Sequence, residues 1–249
     1  MLNSPIRILI LGGTAEARLL AACLDDDGRY SPLTSLAGVT ARPGKIAGEV
    51  RTGGFGGVEG LRDFIRRETI TLMVDATHPF AAQISAHAAR AGAQAGVRVL
   101  RIERPPWEQQ AVDDWVNVAD IDEAAQAVPE GARVLLTIGR QEVEPIFARE
   151  DIYVMARMIE PPQLQVPGHA QILLARPPFL LERECALMEE NRITMLVTKN
   201  SGGDATRPKI EAARELGLPV IIIARPEKPP LTTAPGVEDM LKLIEQHVA

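Results

Sequence analysis

The stretch Thr198-Lys199-Asn200-Ser201-Gly202-Gly203 follows the apolar run Ile193-Thr194-Met195-Leu196-Val197 and precedes a helical pattern carrying Pro208. A strand ending in a cation, an amide, a hydroxyl and two glycines just before a helix gathers N–H groups and positive charge into one concavity, which suits an anion. A second cluster, Asp75-Ala76-Thr77-His78-Pro79, stands where the apolar strand Leu72 to Asp75 gives way to a helix. A third, Gly12-Gly13-Thr14-Ala15-Glu16, follows the first strand and opens the first helix. That is where the pyrophosphate of a dinucleotide meets backbone amides and the helix dipole. A fourth, Thr137-Ile138-Gly139-Arg140, puts at a strand end an arginine able to grip a carboxylate through two parallel hydrogen bonds.

Each cluster also has a plainer reading. The adjacent glycines depart from G-x-G-x-x-G, so Gly12-Gly13-Thr14 also fits a tight turn without ligand, with Glu16 and Arg18 pairing locally. Thr77, His78 and Pro79 suit a helix start, but that leaves unexplained an Asp75 at the end of a strand expected to be buried, beside a histidine. Such a pair can shape the nicotinamide end of a cofactor site or carry a proton. Arg140 can equally cap a carbonyl or pair with Glu144, and Lys199 to Gly203 can be a glycine-rich turn only. A lysine at a strand end inside such a loop is seldom needed for packing.

The second strand, Tyr30 to Leu36, ends in Thr34-Ser35-Leu36-Ala37-Gly38, without the acidic residue that binds the ribose 2′-hydroxyl of NAD and repels an added phosphate. Ser35, Thr40, Arg42 and Lys45 offer hydroxyls and positive charge there instead. This favours NADPH over NADH; the alternative is a solvated basic loop. The first half is expected to hold NADPH through Gly13, Thr14, Glu16, Ser35, Gly38, Arg42 and the loop Asp75, Ala76, Thr77, His78 and Pro79.

These clusters need elements that hold them in register. Apolar runs at residues 6–11, 30–36, 49–52, 72–75 and 97–101 alternate with helical patterns at 15–24, 58–67 and 80–95. Runs at 134–138, 152–156, 172–174, 194–197 and 220–224 alternate with helices at 142–147, 179–191, 206–216 and 236–247. The alternation predicts an α/β fold of two Rossmann-like domains, parallel sheets flanked by helices with an active-site cleft between them. We place the NADPH-binding domain at residues 1–104, a crossover at 105–130 and the substrate-binding domain at 131–249. The Pro-marked stretch 158–170 reads as a loop.

Composition narrows the function classes. The 249 residues are 46% hydrophobic, enough for a real core, and the net charge is −6 with no Lys/Arg block, which argues against a nucleic-acid surface. The longest apolar run, Val220 to Ala224, is far short of the roughly 20 residues that span a bilayer. No signal-peptide pattern follows Met1, so no membrane partner and a cytoplasmic location are expected. Cys23 and Cys185 lie far apart without metal-ligand spacing and read as buried thiols; no metal site is expected.

Taken together, Gly12-Gly13-Thr14, Asp75-Ala76-Thr77-His78-Pro79-Phe80-Ala81, Arg104-Pro105, Gly139-Arg140, Met158-Ile159 with Pro161-Pro162, Pro178-Phe179 with Glu182 and Glu184, and Thr198 through Gly203 resemble the precorrin-6A reductase family. The resemblance runs in order over nearly the whole chain. It implies an NADPH-dependent reduction of one macrocycle double bond, turning precorrin-6A into precorrin-6B during cobalamin biosynthesis. The substrate is then a polycarboxylate tetrapyrrole, for which Thr137, Gly139, Arg140, Lys199, Asn200, Ser201 and Gly202 form the expected binding set in an otherwise acidic chain. Hydride transfer needs mainly orientation. If a side chain donates a proton, His78 and Lys199 come before Asp75, which would be ionised, and solvent is the other source. Transient contact with neighbouring pathway enzymes fits this placing. Two alternatives stay open: reduction of the cobalt-containing substrate with NADH, and a non-catalytic carrier or sensor of dinucleotide or tetrapyrrole. A generic dehydrogenase is disfavoured, since neither Tyr30 nor Tyr153 has a lysine four positions on.

Overall fold

The structure is a computed structural model that describes residues 5–38 and 44–248. The apolar run Ile6–Leu11 forms β1, and Thr14 caps helix α1 (Ala15–Asp25) by accepting a hydrogen bond at its hydroxyl from the Ala17 N–H. Strands β2 (Tyr30–Leu36) and β3 (Glu49–Thr52) follow, then α2 (Gly57–Arg67), β4 (Leu72–Asp75), α3 (Ala82–Ala95) and β5 (Arg98–Ile102). Next come β6 (Trp115–Val118), α4 (Ile121–Ala127), β7 (Arg133–Thr137), α5 (Glu144–Phe147), β8 (Tyr153–Met158) and β9 (Ala170–Leu174). The described chain closes with α6 (Leu181–Glu190), β10 (Met195–Lys199), a 3-10 turn at 204–206, α7 (Pro208–Glu215), β11 (Val220–Ile223), β12 (Thr232–Ala234) and α8 (Val237–Val248).

The strands form two six-stranded sheets with the orders β12-β5-β4-β1-β2-β3 and β6-β11-β10-β7-β8-β9, every pairing parallel. Continuous apolar strands suit such sheets because helices cover both faces. In β1 the period of two is visible. Ile8 and Ile10 pack with Leu20, Leu24, Met240 and Ile244 of α1 and α8, while Leu9 and Leu11 pack with Leu61, Phe64 and Ala88 of α2 and α3. In the second sheet Leu135, Met155, Leu196 and Ile222 share a core with Met188 of α6 and Ile210 of α7.

The chain divides into two compact units, with breaks after Arg104 and after Pro226. One unit holds residues up to Arg104 together with those from Glu227 onward; the other runs from Pro105 to Pro226. Residues 227–249, expected in the second domain, belong to the first because β12 pairs with β5 at Thr232 and Leu100, and α8 buries Met240 and Ile244 on the α1 face. Residues 105–130 are not a crossover either: β6 pairs with β11, and α4 follows with Asp120 as its cap. The segment between β8 and β9 is irregular, as its prolines require. Among the described residues no helix is long and apolar enough to cross a membrane, and no group of His, Cys, Asp and Glu side chains could hold a metal ion. Cys23 and Cys185 are half-buried free thiols rather than fully buried ones.

Candidate functional site

In the first unit the chain runs outward from β1 to β3 on one side, then returns to β4, β5 and β12 on the other. The direction reverses between β1 and β4, the point where open α/β sheets take ligands at their carboxyl ends. Gly13, Thr14 and Glu16 sit at the end of β1, and Asp75, Ala76 and Thr77 at the end of β4, with Leu11 and Asp75 in register. The Thr14 hydroxyl donates to the Ala76 carbonyl at 2.7 Å and accepts from Ala17 N–H at 3.1 Å, tying the two turns together. Gly13 has φ +117°, and a Cβ there would find no atom within 4 Å, so open space lies over the turn in a conformation that only glycine adopts easily. A turn of this shape before the exposed amides of α1 fits a pyrophosphate.

Asp75 is buried, and its carboxylate is committed. It accepts from the Thr77 hydroxyl at 2.6 Å, the Thr77 N–H at 3.2 Å and Arg101 Nε at 3.1 Å. Arg101 is buried too and donates through Nη1 to the Pro229 carbonyl. Asp75 therefore shapes the loop rather than facing a ligand. His78 is exposed, its Nδ1 accepting from Phe80 N–H at 3.3 Å, which puts the proton of the neutral ring on Nε2. Pro79 is buried in the turn before α3, which starts at Ala82 rather than at Phe80. Glu16 accepts from Arg104 at 2.8 Å. Burial pushes its carboxyl up, but the Arg104 charge and hydrogen bonds from its own backbone and Arg104 outweigh this and hold it below the usual carboxylate value.

Ser35, at the end of β2, pairs in register with Leu11 on one side and Arg51 on the other. Its hydroxyl accepts from Arg51 Nη1 at 2.7 Å. Gly38 follows at the rim, while Thr40 and Arg42 lie outside the described residues.

The second sheet repeats the reversal, between β7 and β10. Thr137 at the end of β7 is in register with Thr198, so Thr137, Gly139 and Arg140 lie beside Lys199, Asn200, Ser201 and Gly202. The expected substrate set is therefore assembled within one unit. Lys199 pairs with the half-exposed carboxylate of Glu142. Arg140 donates to the Pro161 carbonyl at 3.2 Å and lies 3.5 Å from Glu160, not against Glu144. The Asn200 side chain clamps the backbone of Trp107, accepting from its N–H at 2.8 Å and donating to its carbonyl at 3.1 Å. Asn200 thus holds the loop in place.

Four cations that no motif marks complete these regions. Arg225, just past β11, donates to the carbonyls of Asn200 and Ser201 at 2.8 and 3.0 Å. Lys209, 4% exposed, donates to the Thr137 hydroxyl at 3.0 Å and lies 5.1 Å from the Trp107 ring centre. Arg157 forms a buried pair with Glu184 and stacks 3.9 Å over Phe179. Arg51 completes the β2 end. The strand-end position of Arg225 is a usable sequence signal; Lys209, inside a helix, offers none.

Residues 7–246 match the family described as "Precorrin-6x reductase CbiJ/CobK". The chain is 47% identical over 227 residues to "Precorrin-6A reductase" of Rhodococcus erythropolis, covering 91% of this chain and 92% of that protein. To "Cobalt-precorrin-6A reductase" of Priestia megaterium the identity falls to 31%, covering 88% and 91%. A solved structure titled "CobK precorrin-6A reductase" superposes with a TM-score of 0.93 at 41% identity, covering 98% of each chain.

Proposed function

The chain belongs to the precorrin-6x reductase family, and from that premise we propose that it reduces precorrin-6A to precorrin-6B with NADPH in cobalamin biosynthesis. The protein is an oxidoreductase of this pathway. The observation that carries the metal-free substrate is the gap between 47% identity to a precorrin-6A reductase and 31% to a cobalt-precorrin-6A reductase, each over most of the chain.

The residues divide the work between units. Gly13, Thr14 and the amides opening α1 would hold the pyrophosphate, Ser35 and Gly38 the adenosine end, and the Asp75 to Pro79 loop the nicotinamide end. The bound nicotinamide supplies the hydride, and the protein supplies position. Lys199, Arg140 and the Gly202 N–H would take substrate carboxylates, with Asn200, Arg225 and Lys209 bracing that loop and Thr137. The Glu142 carboxylate on Lys199 gives way to a substrate carboxylate when substrate binds. His78, with its proton on Nε2, and Lys199 are the groups we would test as proton donors.

The test is anaerobic incubation of the protein with precorrin-6A or its cobalt form, each with NADPH or NADH, following nicotinamide absorbance and the macrocycle spectrum together. Fastest coupled loss of both with precorrin-6A and NADPH is the expected result. Preference for the cobalt form or for NADH would overturn that part of the reading, and binding without turnover would favour a carrier.

A further inference from the structure

Within the reading of the first unit as the NADPH-holding unit, we propose that Arg51, together with the Ser35 hydroxyl, binds the 2′-phosphate of the cofactor and sets its preference over NADH. In a dinucleotide site the ribose 2′ position lies at the end of the strand next to the one carrying the pyrophosphate turn. That strand here is β2, and Ser35 occupies its carboxyl end in register with Leu11, the residue before Gly12-Gly13-Thr14. Arg51 is the next residue outward, on β3, and its side chain reaches back to Ser35 at 2.7 Å. By accepting from Arg51 the Ser35 hydroxyl keeps its own proton for donation, so a hydroxyl donor and a guanidinium stand side by side.

The guanidinium is built for rigidity. It lies 4.1 Å from the ring centre of Phe55 and 5.0 Å from that of Phe64, and Nη2 donates to the Gly54 carbonyl at 3.1 Å. Stacking fixes its plane and leaves its edge for an anion.

Its charge is not balanced. Among the described residues Arg51 forms no ion pair with a carboxylate, although Arg67, whose charge it feels, pairs with Glu68. Residues 39–43, Val-Thr-Ala-Arg-Pro, contain no acid that could supply it. Burial and then the like charge of Arg67 both lower the Arg51 pKa from its ordinary value. A half-buried arginine held beside another arginine in a chain of net charge −6 costs stability without an anionic ligand, and a phosphate monoester supplies the missing charge.

The test measures binding to the full-length protein by calorimetry, with 2′,5′-ADP against 5′-AMP and NADP⁺ against NAD⁺, for the wild type, Arg51→Gln and Arg51→Lys. The expected result is a loss of about 30-fold in affinity for 2′,5′-ADP and NADP⁺ in Arg51→Gln, the scale of a charge-assisted contact. Binding of 5′-AMP and NAD⁺ changes less than about twofold, and Arg51→Lys recovers part of the loss. Equal loss for both ligand pairs would show that Arg51 only supports the fold, and retained discrimination in Arg51→Gln would assign the phosphate elsewhere; either overturns the proposal. If the wild type itself fails to prefer NADP⁺, the NADPH reading fails first, whereas discrimination that survives Arg51→Gln defeats this assignment alone.

Discussion

At the scale of residues, the two sites use charge in different ways. Asp75 is buried in a pair with Arg101, so Asp75→Asn leaves a buried guanidinium with only the longer, partly exposed contact to Glu103 at 3.6 Å. We expect a loss of about 3–5 kcal/mol, read as a lower urea midpoint for the first unit. Lys199 faces a half-exposed partner, Glu142, and its removal is expected to act on binding instead. Lys199→Met should raise the KM for precorrin-6A about tenfold while the Kd for NADPH stays within twofold, measured by anaerobic kinetics and calorimetry. Glu16 has a pH signature. Its folded-state pKa is lowered, so its contribution is present above the ordinary value of 4.5 and lost as pH falls through the folded-state value. The difference in urea midpoint between wild type and Glu16→Gln should therefore be full at pH 7 and shrink below about pH 4.5. Which residues would gather at strand ends was legible because Lys, Asn, Ser and Gly directly after apolar runs have little packing use. That Asn200 braces a backbone and Asp75 meets Arg101 was not legible, because both partners come from distant sequence.

At the scale of elements, the β-α alternation was readable wherever a strand is buried on both faces, as in Ile6–Leu11 and Val220–Ile223. It failed at edges. Trp115–Val118 pairs on one side only, exposes its middle residues Val116 and Asn117, and follows the polar stretch 108–114, so it reads as part of a linker. Thr232–Ala234 is three residues long, too short for a period of two to register. The loop after β10 is the element most sensitive to a small change. Gly202 has φ +65°, and a Cβ there would stand 2.0 Å from the Pro105 carbonyl oxygen and 2.8 Å from Arg225 Nη2. Gly202→Ala must therefore push the loop off its bracing. We expect precorrin-6A binding to weaken at least tenfold with NADPH binding unchanged, and hydrogen exchange to rise in residues 199–203 and 105–107.

At the scale of the whole molecule, the chain enters the second unit once and returns to finish the first. An amphipathic helix carries no mark of which sheet it will cover, so α8 was legible as a helix while its address was not. The address matters for function. Met240 and Ile244 are fully buried against the core under β1 and α1, the elements that present Gly13 and Thr14. Ending the chain after Pro226 should therefore abolish NADP⁺ binding and raise hydrogen exchange across β1, β4 and β5, while protection in β7 and β10 persists. Loss of protection in β7 and β10 instead would contradict the division into units.

The central claim is that hydride passes from a nicotinamide to the macrocycle. Its most direct test is turnover of precorrin-6A, without oxygen, with NADPH carrying deuterium separately at the 4R and the 4S position, followed by mass spectrometry of the product. The account predicts a product with two added hydrogens, one of them deuterium, from one of the two labelled cofactors only. Oxidation of NADPH with no deuterium in the macrocycle from either would contradict it.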